Sequence, residues 1–531
     1  MELDKDIRST QEVRNLVAKA KAAQLEFKHF NQSQVDKIVK AMADAGFEAS
    51  EKLAKMAHQE TGFGKWEDKV VKNQFGSRDV YNSIKDLKTV GIIEVIENGK
   101  IVKIAEPMGV VAALIPSTNP TSTAFFKALI SLKTRNAIVA SPHPKAVMCT
   151  SDALKVMSDA AVSAGAPKDL IQCLSIPTLE GTDALMKHRD VAVILATGST
   201  PMVRAAYSAG TPAYGVGSGN VPAFIERSAN FEKAVLDIIS GTTFDNGTLC
   251  SSEQAMIVDR PIAEKVRKFA EANGGYFVNN DEKLKLEKAI FKDGRINPDI
   301  VGKSAKFIAQ YAGFSVSDSV KVLFADCTKV GKEEPLSIEK LSPILAFYIV
   351  DGWLDGCHKC IDLLNFGGIG HTLAIHSNDQ EIIMKFAMEK PAFRIIVNSP
   401  SSLGAVGYTT ALDPSMTLGV GTWGGSIISE NVTAKHLMNI KTLAFETNPI
   451  NKGNSVNSFG SSKVGNSFSS SGNFINEIEE RLRARAGNPV VNIQTSQNKF
   501  TTQKNSQSSE KKLGRGISEE EIQKIIREFN K

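Results

Sequence analysis

From residue 1 to about 90, apolar residues recur at spacings of three and four. VRNLVAKAKAAQLEF and VDKIVKAMADAGFEASEKLAKMA carry the pattern and predict amphipathic helices. The period then drops to two in VGIIEVIENGKIVKIAEP, whose runs flank Asn98-Gly99, a strong hairpin signal. Beyond it, short unbroken apolar runs (GVVAALIP, NAIVAS, DLIQCLS, VAVILATGS) alternate with helical segments, one of them over 146–164. Strands that are apolar on both faces and alternate with helices predict a doubly wound parallel α/β sheet. A second pattern of this kind follows Cys250, with strands AMIVD, ILAFYIV, TLAIHS and RIIVN. Two α/β domains joined near residues 217–250 would leave a cleft, with Cys250 at its edge.

After about Asn451 the apolar periodicity stops. The stretch 451–515 is rich in Ser, Asn, Gln and Lys and is expected to be a disordered linker. FINEIEERLRARA, at 474–486, interrupts it with a helical pattern. The last segment, GISEEEIQKIIREFNK at 516–531, pairs a capping box (Ser518, Glu521) with one apolar face of Ile522, Ile525, Ile526 and Phe529. So short a helix is marginal alone, and at the end of a flexible linker it suits docking to another protein.

Composition narrows the class. The 531 residues are 42% hydrophobic and 23% charged, enough to bury sizeable cores in a soluble protein. A net charge of +5 without basic runs interleaved with aromatics argues against nucleic acid as a partner. No apolar stretch approaches the roughly 20 residues that span a bilayer, so no membrane partner is expected. The charged start, MELDKDIRST, lacks the apolar core of an export signal. The six cysteines are scattered, which is unlike a disulfide framework and suits a reducing cytosol. Cys357 and Cys360 flank His358 in a CHKC cluster, but no second pair of ligands stands at matching spacing, and we read them as helix residues near a core.

Candidate chemistry gathers at strand ends. STNPTS at 117–122 follows a buried strand and puts Asn119 at a carboxyl edge, where open α/β sheets bind ligands. ATGST at 196–200 closes another strand and opens a helix whose free N–H groups suit phosphate. GVGSGN at 215–220 fits a loose glycine-rich search but is followed by Val-Pro-Ala-Phe, not by a helix start, so it is no dinucleotide fingerprint. Cys250, in DNGTLCSSEQ, is either a nucleophile or a buried thiol on its own context.

Taken in order, these pieces resemble an aldehyde dehydrogenase, and within that family the CoA-acylating branch that includes acetaldehyde and propionaldehyde dehydrogenases of bacterial microcompartments. The resemblance covers roughly residues 5–450. It rests on STNPTS, NAIVASPHP, ATGST, GVGSGNVP, GTLCSSE, EKLSPIL, GGIGHT and GVGTWGGS. The resemblance implies Cys250 as nucleophile and an oxyanion held by the Asn119 amide and the Cys250 backbone N–H; such donors are worth about 3 kcal/mol each. It implies NAD bound with Glu339 on the nicotinamide ribose, Gly198 and Ser199 near the pyrophosphate, and Ser141, Pro142 and His143 along the cofactor site. Hydrolytic relatives carry a water-activating glutamate within the segment matching GVGSGNVP and a lysine where Ser141 stands, and both are absent here. Coenzyme A, whose thiol needs little activation, is then the acyl acceptor in a ping-pong scheme.

The expected organisation is an α/β, aldehyde dehydrogenase-like chain with a Rossmann-like cofactor domain (1–90 and 108–219) and a catalytic domain (220–430). A small β oligomerisation element (91–107 and 431–450) would make a dimer or tetramer. The segment 516–531 resembles an encapsulation peptide for a microcompartment shell protein in the bacterial cytoplasm, with 474–486 a second candidate. The expected substrate is a short aliphatic aldehyde, propionaldehyde or acetaldehyde. A hydrolytic aldehyde dehydrogenase and a CoA-acylating semialdehyde dehydrogenase are the alternatives, and His371 of GGIGHT has no assigned role. Bifunctional aldehyde/alcohol dehydrogenases share the N-terminal motifs but continue into an iron-dependent domain, and a chain ending in a linker and a peptide is not expected to be one of them.

Overall fold

Five helices open the chain: α1 (Lys5–Phe27), α2 (Gln32–Glu48), α3 (Ser50–Thr61), α4 (Trp66–Gln74) and α5 (Val80–Ile84), with a π-helical turn between the last two. α1 buries Val13, Val17, Ala20 and Phe27, one face of a 3.6-residue repeat. α2 begins with a capping box, Asn31 Oδ1 accepting from Gln34 N and Gln34 Oε1 accepting from Asn31 N. α3 stops at Gly62, whose φ of +69° is the left-handed turn that closes many helices. α4 departs from the amphipathic rule, because its buried residues are Lys69, Lys72 and Asn73.

The computed structural model describes residues 4–292 and 295–451, so the linker expected from 451, the helix at 474–486 and the peptide at 516–531 fall outside the described residues. The hairpin forms as β1 (Gly91–Ile96) paired antiparallel with β2 (Ile101–Pro107). Its loop is Glu97–Lys100 and not a two-residue Asn-Gly turn, with Glu97, Asn98 and Gly99 all at positive φ and a bulge between Ile92 and Glu94. β17 (Met438–Ala444) joins the far side of β2 to complete a three-stranded sheet.

The apolar runs make a five-stranded sheet of β3 (Val110–Ile115), β4 (Ala137–Pro142), β5 (Ile171–Cys173), β6 (Val191–Thr197) and β7 (Ala213–Val216). All pairs are parallel, in the order β5-β4-β3-β6-β7. Every residue of β3 and β4 is buried, as a sheet covered on both faces requires. Each of the larger ones (Leu114, Ile115, Ile138) contributes about 1.5–3 kcal/mol by leaving water. The crossovers are α6 (Pro120–Lys133), α7 (Val147–Ser163), α8 (Leu179–Met186) and α9 (Thr200–Tyr207). The strand order reverses at β3, which puts the switch point between β3 and β6.

Residues 217–220 carry the chain into a second parallel sheet. Its strands are β8 (Val221–Ile225), β9 (Glu253–Asp259), β10 (Gly275–Phe277), β13 (Val322–Asp326), β14 (Ile344–Val350), β15 (Gly370–His376) and β16 (Ala392–Val397). They run in the order β10-β13-β14-β9-β8-β15-β16. The two-residue strands β11 (Phe291–Lys292) and β12 (Arg295–Ile296) form a separate pair. The helix α10 (Phe231–Thr243) leads from β8 to the loop that holds Cys250. Asn119 and Gly198 lie past the carboxyl ends of β3 and β6, while Cys250, Glu339 and His371 lie before or within the amino ends of β9, β14 and β15. The first sheet therefore presents its carboxyl edge, and the second its amino edge, to the same region.

Candidate active site

The loop between α10 and β9 is built on left-handed backbone. Asp245 (φ 48°), Asn246 (φ 52°) and Gly247 (φ 74°) follow one another, and Asp and Asn are the residues with side chains that tolerate this region best. The resulting turn places Cys250 at the entrance to β9, half-buried. Gly219 packs behind it so closely that a Cβ there would lie 2.1 Å from the Cys250 carbonyl oxygen and 3.3 Å from the His371 ring. GVGSGNVP is thus a segment of close backbone approach, and no carboxylate of its own stands there.

Charge around the thiol is unevenly distributed. Burial pushes the Cys250 thiol up to about 12, and the Glu339 carboxylate adds to the rise against the pull of Arg394. Glu339 is itself raised to about 8 by burial, although its Oε1 accepts from Gly219 N at 2.9 Å. His371 is buried and held well below its ordinary value by burial and by Arg394, so the ring is neutral. Its Nδ1 lies 2.9 Å from Thr372 Oγ1, and its Nε2 has no hydrogen-bond partner among the described residues. Arg394, also buried, donates to His371 O at 2.9 Å, Ser429 O at 3.1 Å and Thr372 Oγ1 at 3.3 Å.

Asn119 is the N-cap residue of α6, and its side chain reaches across to the Cys250 loop. Nδ2 donates to Thr248 O at 3.3 Å and to Thr118 Oγ1 at 3.1 Å, while Oδ1 accepts from Lys72 Nζ at 2.7 Å. Beneath it, Asp245 Oδ2 accepts from Lys72, Lys69 and Thr248 Oγ1. Asp245 is fully buried; burial alone would raise its carboxyl, but the two ammonium groups outweigh it and hold it below the usual range. Beside this cluster a small pocket is lined by apolar side chains, Val71, Phe75, Phe244, Leu249 and Met416 among them, and only Lys72 and Tyr408 contribute polar side chains to it.

The expected cofactor residues gather at the other side. Gly198 follows the last residue of β6 and Ser199 is the N-cap of α9, and both stand at the β3/β6 switch point, where doubly wound sheets open their binding crevice. In front of Gly198 an added Cβ would meet nothing nearer than Met202 at 3.9 Å, and Ser199 is exposed, so the helix N-terminus is accessible. Ser141 and Pro142 end β4, but both are buried and Ser141 Oγ is engaged with Thr182 Oγ1 at 2.8 Å; His143 is the exposed member of the three. These donors and this opening fit a dinucleotide pyrophosphate.

Asn119 thus reaches the Cys250 loop at Thr248 O, Glu339 meets Gly219 N behind Cys250, and the same GVGSGN segment approaches the start of α9, where a Cβ on Gly217 would lie 3.2 Å from Thr200 Oγ1 and Ser218 N donates to it at 3.5 Å. Sequence reasoning missed Lys72, Lys69, Asp245 and Arg394. KWEDKVVKNQ reads as a solvated charged helix, and the one available signal was that Lys65, Lys69 and Lys72 share a face at spacings of four and three. Cys357 and Cys360 are buried on the helix Gly352–Phe366, and among the described residues no group of three His, Cys, Asp or Glu could hold a metal ion. No described helix is long and apolar enough to cross a membrane.

Residues 6–335 match the model of the aldehyde dehydrogenase family. The chain is 46% identical over 438 residues to the bifunctional aldehyde-alcohol dehydrogenase of Escherichia coli (strain K12), a match covering 82% of this chain and 49% of that one. It spans about half the length of such curated relatives. Among solved structures, an acetylating aldehyde dehydrogenase from Geobacillus thermoglucosidasius superposes with a TM-score of 0.84 at 52% identity, covering 85% of this chain and 100% of that one. A propionaldehyde dehydrogenase from the Clostridium phytofermentans fucose utilisation bacterial microcompartment gives a TM-score of 0.74 at 28% identity, over 82% and 97% of the two chains.

Proposed function

The chain belongs to the aldehyde dehydrogenase family, and from that premise we propose that it oxidises a short aliphatic aldehyde and transfers the acyl group to coenzyme A. The observation that carries this reading is the Asn119 amide directed at the backbone just before Cys250, with Nδ2 3.3 Å from Thr248 O, while GVGSGNVP beside them has no carboxylate to activate water. Cys250 is the nucleophile. The thiol loses its proton to solvent, its sulfur forms the bond to the aldehyde carbon, and the carbonyl π pair moves to oxygen, where Asn119 Nδ2 and the Cys250 N–H stabilise it. NAD, when bound, accepts the hydride that turns the thiohemiacetal into a thioester.

Gly198, Ser199 and the α9 N-terminus would hold the pyrophosphate of that cofactor, with Ser141, Pro142 and His143 along the same edge and Glu339 toward the ribose. Coenzyme A attacks as its thiolate, its proton passing to solvent; the His371 ring, buried and held well below its ordinary value by burial and Arg394, is too weak a base to take it. The coenzyme A sulfur attacks the thioester, the Cys250 sulfur leaves, and acyl-CoA departs.

The apolar cavity supports a two- or three-carbon aldehyde over a semialdehyde, because its one cation, Lys72, has all three N–H donors engaged. The relative at 52% identity bears a name that points to acetyl transfer and the one at 28% to propionaldehyde, which supports acetaldehyde first. Exposed Val95, Ile440 and Leu443 on the three-stranded sheet support assembly into a dimer or tetramer. The microcompartment relative and the apolar face of 516–531 support a shell protein as partner, testable by whether fusing this peptide to a reporter carries it into shells.

The deciding assay is NADH formation from acetaldehyde and propionaldehyde, with and without coenzyme A and with NADP in place of NAD, the product being identified. Strict dependence on coenzyme A with acyl-CoA as product is expected. Free acid formed without coenzyme A would mean that Glu339, or another group, activates water, and the hydrolytic reading would replace this one.

A further inference from the structure

We propose that Lys72 is a positioning residue for the oxyanion site: its buried ammonium fixes which way the Asn119 amide faces and strengthens the N–H that meets the developing charge. The inference rests on the function proposed above, and its basis is geometric. Lys72 is 4% exposed, and its three donors go to Asn119 Oδ1 at 2.7 Å, Asp245 Oδ2 at 2.5 Å and Thr248 Oγ1 at 3.1 Å. A carboxamide is nearly symmetric in shape, so its oxygen and nitrogen exchange places unless the surroundings forbid it. An ammonium group has donors and no acceptor. It accepts only the orientation with Oδ1 toward itself, because the flipped amide would set NH2 against NH3+. With Oδ1 pinned, both N–H groups of Nδ2 face the Cys250 loop side, donating to Thr248 O at 3.3 Å and Thr118 Oγ1 at 3.1 Å, and an arriving aldehyde oxygen takes over one of these two donors.

The second effect is electronic. A cation on the amide oxygen draws charge through the conjugated O–C–N unit and makes Nδ2–H a better donor, since hydrogen bonds in a chain polarise one another. Asp245 keeps this ammonium in place and is in turn held by Lys69 Nζ at 2.8 Å, Thr248 Oγ1 at 2.7 Å and Lys65 N at 2.6 Å. Its left-handed backbone and the tight turn at Gly64, where a Cβ would meet Asp245 Oδ1 at 1.8 Å, show that two loops close around this one carboxylate. Burying two ammonium groups against a single carboxylate is expensive for a site that serves stability alone. The arrangement is accounted for by the amide it orients.

The test is a double-mutant cycle on single-turnover NADH formation with the full chain: wild type, Lys72→Met, Asn119→Ala and the pair. Lys72→Met is expected to slow the step by about 10- to 100-fold, approaching the roughly 10²-fold or greater effect of a lost oxyanion donor, with aldehyde KM changed little. Combined with Asn119→Ala it should add almost nothing, because Lys72 acts through that side chain. Alkylation of Cys250 by iodoacetamide, which forms no oxyanion, should change far less than the hydride step. Lys72→Gln keeps a neutral donor toward Oδ1, is expected to fall between wild type and Lys72→Met, and carries the cycle if the methionine variant does not fold.

Effects that multiply in the double variant overturn the proposal, as does an alkylation rate that drops as far as hydride transfer, which would place the action of Lys72 on the thiol. If the wild type yields no aldehyde-dependent NADH, the proposed function fails and this inference falls with it. An active wild type and a slow Asn119→Ala, with multiplying effects, isolate the failure to Lys72.

Discussion

The five-stranded sheet and α4 both bury almost everything they direct inward, by opposite means. β3 and β4 bury side chains whose removal from water is itself the driving force, and any apolar residue of similar volume would serve. α4 buries two lysines and an asparagine, each tied to a named partner: Asp245 for both lysines, and Ser50 O and Thr121 Oγ1 for Asn73. The first kind of burial makes a scaffold. The second is stable only when every polar group is matched, and it is found here where Asn119 meets the Cys250 loop.

The sharpest contrast is chemical. Cys250→Ala should lower aldehyde oxidation by on the order of 10⁴-fold or more while leaving the urea midpoint nearly unchanged, the signature of a lost nucleophile. Next, Asp245→Ala and Leu195→Ala should destabilise to similar extents in urea titrations, about 3–5 kcal/mol for stranded buried ammonium groups and about 2–5 kcal/mol for a cavity in β6. Only Asp245→Ala should also slow the enzyme that remains folded. Equal activity per folded molecule in the two variants would erase the distinction between scaffold and site.

Two smaller effects follow from buried acids. With the Cys250 thiol pushed up to about 12 by burial and Glu339, its alkylation rate in the cofactor-free protein should climb about tenfold per pH unit from 7 to 10 without a plateau. A plateau near 8 would show a thiolate already stabilised at rest. Glu253, raised to about 8 by burial from an ordinary 4.5, favours the protonated carboxyl in the folded state. Its contribution is therefore complete below pH 4.5 and is lost as pH rises toward 8, by up to about 1.4 kcal/mol per unit. Glu253→Gln, which mimics the protonated form, should match wild type near pH 4.5 and exceed it increasingly up to pH 8.

The same division explains what the sequence made legible. GVVAALIP, NAIVAS and VAVILATGS could be read as β3, β4 and β6 because apolar burial leaves a mark at every position. Asn119 and Ser199 could be placed at strand ends because the apolar runs of β3 and β6 stop just before them; α6 then begins at Pro120, and α9 at Thr200 with Pro201 second. Lys72 and Asp245 were invisible because a buried ion pair and an exposed one use the same letters. What separates them is a partner 173 positions away in the chain. The hairpin was legible too: it forms about Asn98-Gly99, with Glu97, also at positive φ, and Lys100 completing a four-residue loop.

In the proposed reaction the aldehyde carbon is carried as a thioester on Cys250 until coenzyme A removes it. Intact-protein and peptide mass spectrometry after mixing the enzyme with acetaldehyde and NAD, without coenzyme A, tests this directly. One acetyl group per chain is expected, located on the peptide containing Cys250, and it should disappear when coenzyme A is added while acetyl-CoA appears in equal amount. An unmodified Cys250 with acetate accumulating in solution would contradict it.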